Sequence, residues 1–233
     1  MIKKNIFSSK TRKTLRRLLY PAFFYFLSKS TKPLSNYHGF DRGAPIDRFY
    51  IENFLEQNKE VISGGCLELL NNDYTLKYGG SKVSKSDVLD IDKSNKNATI
   101  IDDLRSLRGI ADNSYDCLIL TQVLQFIDDT TAAISQCYRI LKPGGTILVT
   151  LPSLSRIDPI SGQAGDYWRF TVASASYLFN KDFKPEQTEV KSWGNVRSGL
   201  YFYAGLAQED SLVKTLEKND PDFPLIITVK ATK

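Results

Sequence analysis

YDCLILTQVLQFIDDTTAAISQCYRILKPGGTILVTL, residues 115–151, decides the fold. Its two ends, YDCLILT (115–121) and GTILVTL (145–151), are short and nearly continuous in apolar character, as strands covered on both faces are. Between them DDTTAAISQCYRILK (128–142) predicts a helix. Asp128, Asp129 and Thr130 offer its cap, Ala132, Ala133, Ile134, Cys137, Ile140 and Leu141 its buried side, and Pro143-Gly144-Gly145 its stop. Strand, crossover helix and strand is the repeating unit of an open parallel sheet.

Reading outward, CLELL (66–70), DVLDID (87–92) and ATII (98–101) predict three earlier strands. EVKSW (189–193) is a candidate strand, and PLIITVKA (224–231) predicts a last one. PIDRFYIENFLEQN (45–58) predicts a helix with Pro45 near its first turn and an apolar stripe of Ile46, Phe49, Tyr50, Phe54 and Leu55. A further helix starts near Thr171 and covers 173–179, and 198–218 reads as helical. The expected fold class is α/β: a Rossmann-like, mostly parallel sheet with helices on both faces. The last strand follows a long connection and is placed antiparallel beside the fifth. Ligands of such sheets bind beyond the carboxyl ends of the strands, where the strand order reverses.

Composition narrows the function. The 233 residues carry a formal charge of +5 with 42% apolar residues, an ordinary folded-domain mixture. Three cysteines (Cys66, Cys117, Cys137) without a CxxC pair speak against a disulfide scaffold or a zinc site. They read as small buried hydrophobes in a reducing cytoplasm. A single histidine, His38, leaves no His-rich metal centre, and a Ser-His-Asp triad only with His38 as base. No metal ligands are assigned. No GxGxxG follows the first strand, so a dinucleotide pyrophosphate has no cradle.

The charge is unevenly placed. Residues 1–40 hold nine Lys and Arg and no Asp or Glu, leaving the rest of the chain at −4. This arm runs into LLYPAFFYFL (18–27). No stretch is long and apolar enough to predict a transmembrane helix. A secretory signal is disfavoured by Pro21 and by the lack of a small-residue cleavage site. Two readings stay open for residues 1–27: a helix packed on the domain with its charges in water, or an interfacial anchor on anionic lipid. The second would put a cytoplasmic protein on the inner face of the membrane. Nucleic acid is not an expected partner, because the body lacks interleaved basic and stacking residues. Residues 1–43 read as arm and linker, and 44–233 as the main domain.

The acidic strand ends together with RILKPGG (139–145) give the chain a recognisable pattern. Over roughly 45–180 it resembles the class I S-adenosylmethionine-dependent methyltransferases, particularly the small "type 11" group. The resemblance implies S-adenosyl-L-methionine as cofactor. It places Glu68 at the acidic position that meets the methionine ammonium group, followed by a turn normally rich in glycine. Here that turn is Leu70, Asn71, Asn72 and Asp73, a departure from the pattern. Asn and Asp accept left-handed backbone better than other non-glycine residues, so the turn can still form and Asn71 can sit against the cofactor. The resemblance further implies Asp92 for the ribose hydroxyls, with Asp90 as the alternative within the strand. Asp103 and Leu104 are implied at the adenine, with Asp102 as the neighbouring alternative. Thr121 and Gln122, with Gln125 nearby, are implied at the methionine and sulfonium.

Beyond the fifth strand, DYWRFT (166–171) is similar to a passage that shapes the acceptor pocket in related enzymes. Tyr167, Trp168 and Arg169 suit a sugar, rings covering its C–H face and polar groups taking its hydroxyls. The alternative makes Asp166 and Arg169 an internal ion pair and buries Trp168. HGFDRGAPIDRFY (38–50) resembles members that act on glycans and would fold over the site, with Asp41 and Arg42 as acceptor contacts. A saccharide or other small-molecule acceptor is thus expected. Methylating its hydroxyl calls for a general base, either Asp166 or His38, with Asp166 preferred because it follows the fifth strand. Other readings are methylation of a small phenol, amine or carboxylate, and a non-catalytic scaffold.

Overall fold

A computed structural model describes residues 29–233. The arm at 1–27 lies outside the described residues, and with it both readings of its role. Seven strands form one sheet in the order β3-β2-β1-β4-β5-β7-β6. They are β1 (Gly64–Leu69), β2 (Val83–Asp90), β3 (Ile100–Ile101), β4 (Tyr115–Thr121), β5 (Leu141–Pro152), β6 (Thr188–Trp193) and β7 (Ile226–Thr232). β1 lies parallel to β2 and β4, with Cys66 opposite Cys117, and β4 parallel to β5, with Leu118 opposite Ile147. β7 inserts antiparallel between β5 and β6, Val229 facing both Val149 and Val190.

The apolar character of β4 follows from its position. Cys117 and Ile119 point to one face and pack with Ile51, Phe54 and Leu55 of helix α1 (Ile46–Gln57). Leu118 and Leu120 point to the other and pack with Ala133, Ile134 and Cys137 of α2 (Thr130–Ile140) and Phe179 of α3 (Val172–Phe179). Both faces are covered, so a strand with a polar face would have no stable place here. Asp129 caps α2 by accepting from the Ala132 amide at 2.9 Å. The helix ends at Ile140 and the chain is extended from Leu141 on, so the expected stop, Pro143-Gly144-Gly145, lies inside β5 instead. Gly145 is needed there, since a Cβ would stand 2.9 Å from the Lys142 carbonyl and 3.1 Å from that of Asp116.

Two expectations shift. The stretch 198–218 is not one helix: α4 spans Val196–Tyr203 and the chain then turns at Gly205, whose φ is +74°. A Cβ on Gly205 would meet the Ser35 carbonyl at 2.4 Å, so the turn serves close packing against the incoming chain. β2 ends at Asp90, two residues earlier than DVLDID suggested. Segment 33–45 is tied down along its length. Leu34 donates to the Ala204 carbonyl at 2.8 Å, Arg42 pairs with Asp210, and Pro45 bridges to Ala207. No helix among the described residues is long and apolar enough to cross a membrane.

Candidate active site

The strand order reverses between β1 and β4, and a cavity of about 340 Å³ opens beyond their carboxyl ends. Leu69 and Leu70 line it from β1, Asp90 and Ile91 from β2, Asp102 to Arg105 from the exit of β3, and Gln122 and Val123 from β4. Tyr167, from the loop after β5, completes the wall. A second cavity of about 180 Å³ shares Gln122 and Phe126 with the first. Its other lining residues include His38, Arg48, Gln125, Arg156, Asp158, Asp166, Arg169 and Phe202.

Backbone strain gathers at these two cavities. Of the five non-glycine residues with positive φ among the described residues, His38 (+55°), Leu70 (+69°) and Gln122 (+55°) line them. For Leu this conformation costs about 1–2 kcal/mol. It persists because the Leu70 amide donates to the Leu89 carbonyl at 3.0 Å and its carbonyl accepts from Asn95 Nδ2 at 2.7 Å. Leu70 thus holds the left-handed turn where glycine was expected, and its side chain, 56% exposed, faces the cavity.

Glu68 does not line the cavity. Its carboxylate turns into the protein, accepting from the Thr75 amide (2.7 Å), the Thr75 hydroxyl (2.8 Å) and the Tyr74 amide (3.3 Å). Burial pushes its pKa up to about 7, against the pull of those hydrogen bonds. Asn71 also stays outside the lining, its side chain closing a turn to the Asp73 amide.

At the end of β2, Asp90 is buried and lines the cavity. It accepts from the Asp92 amide (2.9 Å) and Asn95 Nδ2 (2.6 Å). Asp92 lies past the strand, exposed, with both oxygens turned to Ser94, whose amide and hydroxyl lower its pKa. The geometry therefore presents Asp90, not Asp92, to the cavity, because the strand ends one pleat sooner.

Asp103 and buried Leu104 both line the cavity. Asp103 is gripped by Arg105 (Nη2 to Oδ2, 2.6 Å), which also holds its pKa down, and Arg105 reaches on to Asp128 at 2.8 Å. Neither Arg105 nor Asp128 was expected at a site, and nothing local in the sequence marks them. Asp102 uses its oxygens on the Asp103 and Gly109 amides. Thr121 closes β4 without lining either cavity, whereas Gln122 lines both.

In the second cavity Asp166 is spent. Arg169 grips both its oxygens at 2.6 and 2.9 Å, and the Asp158 amide donates to Oδ2 at 2.9 Å. The Arg169 hydrogen bonds hold its pKa below the usual carboxylate range. His38 is different: burial, then the nearby Arg156 charge, lower its pKa, so the imidazole is neutral at neutral pH. Arg156 Nε donates to His38 Nε2 at 3.1 Å, which leaves the ring proton on Nδ1. Gln125 is buried and its Nε2 donates to the Gln122 carbonyl at 2.9 Å, leaving Oε1 without a partner.

The other acceptor candidates divide. Tyr167 faces the first cavity and Arg169 the second. Trp168 lines neither; it is 42% exposed, and its indole N–H donates to the Ile127 carbonyl at 2.8 Å. Asp41 accepts from the Ser35 hydroxyl, and Arg42 makes a two-pronged pair with Asp210 (2.8 and 3.1 Å). Both brace the segment that carries His38 and stay out of the cavity. Arg48, Arg156 and Asp158 stand where those two were expected, brought in from the start of α1 and from the loop after β5.

Solved S-adenosylmethionine-dependent methyltransferases share this fold, a mostly parallel sheet with one reversed strand. Residues 64–149 match the family profile described as a methyltransferase domain. The chain is 31% identical over 102 residues to a ubiquinone/menaquinone biosynthesis C-methyltransferase of Klebsiella pneumoniae, 43% of this chain and 38% of that protein. Matches to curated relatives of this kind span only 24–38% of their length. Among solved structures, a methyltransferase from Mesorhizobium loti superposes with a TM-score of 0.56 at 14% identity, covering 81% of this chain and all of that one. A phosphoethanolamine N-methyltransferase of Haemonchus contortus, solved with S-adenosylhomocysteine, gives a TM-score of 0.52 at 14% identity over 78% of this chain and 52% of that one.

Proposed function

We propose that this protein is an S-adenosylmethionine-dependent methyltransferase that O-methylates a sugar or glycan intermediate. The observation that carries this reading is the pair of cavities meeting at Gln122 and Phe126. The first suits the cofactor. Asp90 offers a carboxylate for ribose hydroxyls, Asp103 and Leu104 are the residues for the adenine edge, and Val123, Phe126 and Ile127 supply apolar walls. When bound, the cofactor supplies an electrophilic methyl group. With Glu68 turned inward, the methionine end is left to Gln122 and the turn at Leu70.

The second cavity suits a neutral polyol. Arg48, Arg156 and Arg169 are matched in number by Asp47, Asp158 and Asp166, and Phe40, Phe126 and Phe202 offer apolar faces. Gln125 Oε1 is a buried acceptor awaiting a hydroxyl donor, since an unmet buried acceptor costs about 1–3 kcal/mol. His38 is the general base. A hydroxyl that displaces Arg156 from Nε2 can pass its proton there, while Asp166 keeps the pocket in shape through Arg169. Excluding water protects the transfer from hydrolysis.

Calorimetry with S-adenosylhomocysteine tests the cofactor half, and absence of binding sinks it. Labelled methyl transfer to sugar, phenol, amine and carboxylate panels tests the acceptor half. Label on a phenol or amine but on no sugar moves the assignment to a small-metabolite enzyme. The turn built on Leu70 favours one rival, a non-catalytic scaffold, which would bind neither cofactor nor product. If residues 1–27 act as an anchor, the enzyme works at the inner membrane face.

A further inference from the structure

The two segments that bring His38 and Arg156 to the second cavity carry exposed apolar side chains, and all of them but Phe40 are unused by the chemistry above. Tyr37 is 69% exposed and precedes His38; Ile157 is 46% exposed and lies between Arg156 and Asp158. Ile160 is 94% exposed on the turn that Asp158 Oδ2 closes through the Ile160 and Ser161 amides (3.0 and 2.7 Å). Leu154, next to the lining residue Ser155, and Phe40, itself in the lining, are also exposed. The two segments are joined, because Arg156 donates to His38 and to the Asn36 carbonyl. Scattered surface apolars need no explanation, but five on two joined segments that supply lining residues to one polar cavity do.

Charge supplies the second observation. Nine cations and no anion occupy residues 1–40, and the chain passes from them directly into the rim at Tyr37 and Phe40. A basic segment feeding an apolar rim matches an anionic bilayer, where cations meet phosphate headgroups and apolar side chains enter the headgroup boundary.

We infer that this rim is the face the protein lays on an anionic bilayer, with the acceptor cavity opening onto the headgroups. Docking there would seal the mouth against water. It would also let the cavity take a headgroup-borne sugar without extracting it from the membrane. The acceptor clause rests on the methyl-transfer reading above; the docking surface does not.

The test uses the full chain and vesicles of phosphatidylcholine with and without phosphatidylglycerol. Wild type is expected to sediment with the anionic vesicles only. The combined variant Tyr37→Ser, Ile157→Ser and Ile160→Ser keeps every charge and touches no lining residue. It should lose about tenfold or more in partitioning while binding S-adenosylhomocysteine as wild type does. Partitioning equal to wild type would overturn the docking face and leave the arm acting alone. A separate Ile160→Trp chain should show additional quenching by brominated lipid, and no added quenching counts against the orientation. With labelled cofactor and membranes, label should enter the lipid extract; label confined to the aqueous phase overturns the acceptor clause. Failure of S-adenosylhomocysteine to bind wild type strikes the methyltransferase reading and leaves the vesicle result standing.

Discussion

Glu68 and Thr75 hold each other across the turn that follows β1. One carboxylate oxygen, Glu68 Oε2, accepts from both the amide and the hydroxyl of Thr75, and both residues are buried. Burial raises the Glu68 pKa from 4.5 to about 7, so between those values the folded protein binds a proton that the unfolded chain has released. Stability from this group is full below pH about 4.5 and falls as pH rises to about 7, by about 3 kcal/mol in all. Denaturant midpoints across this range should show that slope, and Glu68→Gln should flatten it. An unchanged slope in the variant would assign it elsewhere.

Asp90 and Asp92 separate the two possible ends of β2. Asp90→Asn should weaken S-adenosylhomocysteine binding by about tenfold or more, the worth of a hydrogen bond to a charged group. Asp92→Asn should leave it near wild type, because that carboxylate is exposed and turned to Ser94. Equal losses in calorimetry would contradict the assignment.

His38→Gln should lower kcat by about 10²–10⁴ with little change in cofactor affinity, as loss of a general base does. The wild-type rate should hold as pH falls to the ordinary histidine value of 6.5 and drop only below it, since the folded-state pKa is lowered. A profile that breaks above that value would point to a different base.

Asp166→Asn should act on stability first. The side chain is 2% exposed and paired with Arg169, so the change should cost about 2–3 kcal/mol. Its depressed pKa means this contribution is present above the unfolded value of 3.8 and lost as pH falls through the lower folded value. A thermally stable variant with no activity would instead return Asp166 to the role of base.

Leu70→Gly relieves a left-handed leucine and opens the cavity wall. Affinity for S-adenosylhomocysteine should rise several-fold, while stability stays within about 1 kcal/mol because strain relief offsets the greater chain entropy of glycine. Weaker binding would mean that the leucine side chain contacts the ligand.

Much of the fold was legible because it rests on local patterns. β4 was readable to the residue, since a strand buried on both faces is nearly continuous in apolar character and Asn113 and Ser114 before it are turn formers. The helix at 198–218 was not, because its breaker, Gly205, is required by Ser35, far away in the chain. The end of β2 was equally hidden: DVLDID stays strand-like through Asp92, and only pairing with the two-residue β3 stops the ladder at Asp90.

The sequence alone determined the α/β class, the acidic residues near the strand ends and the charge divided between arm and body. These follow from periodicity and composition, which need no partner to be read. Only the tertiary structure decided which carboxylates face a ligand. Asp90 lines the cavity while Asp92 turns to Ser94, Glu68 is consumed by Thr75, and Asp166 is held by Arg169. It also brought His38, Arg48 and Arg156 into one cavity. A carboxylate's role depends on which donors reach it first, and those donors arrive from segments whose meeting no local pattern records.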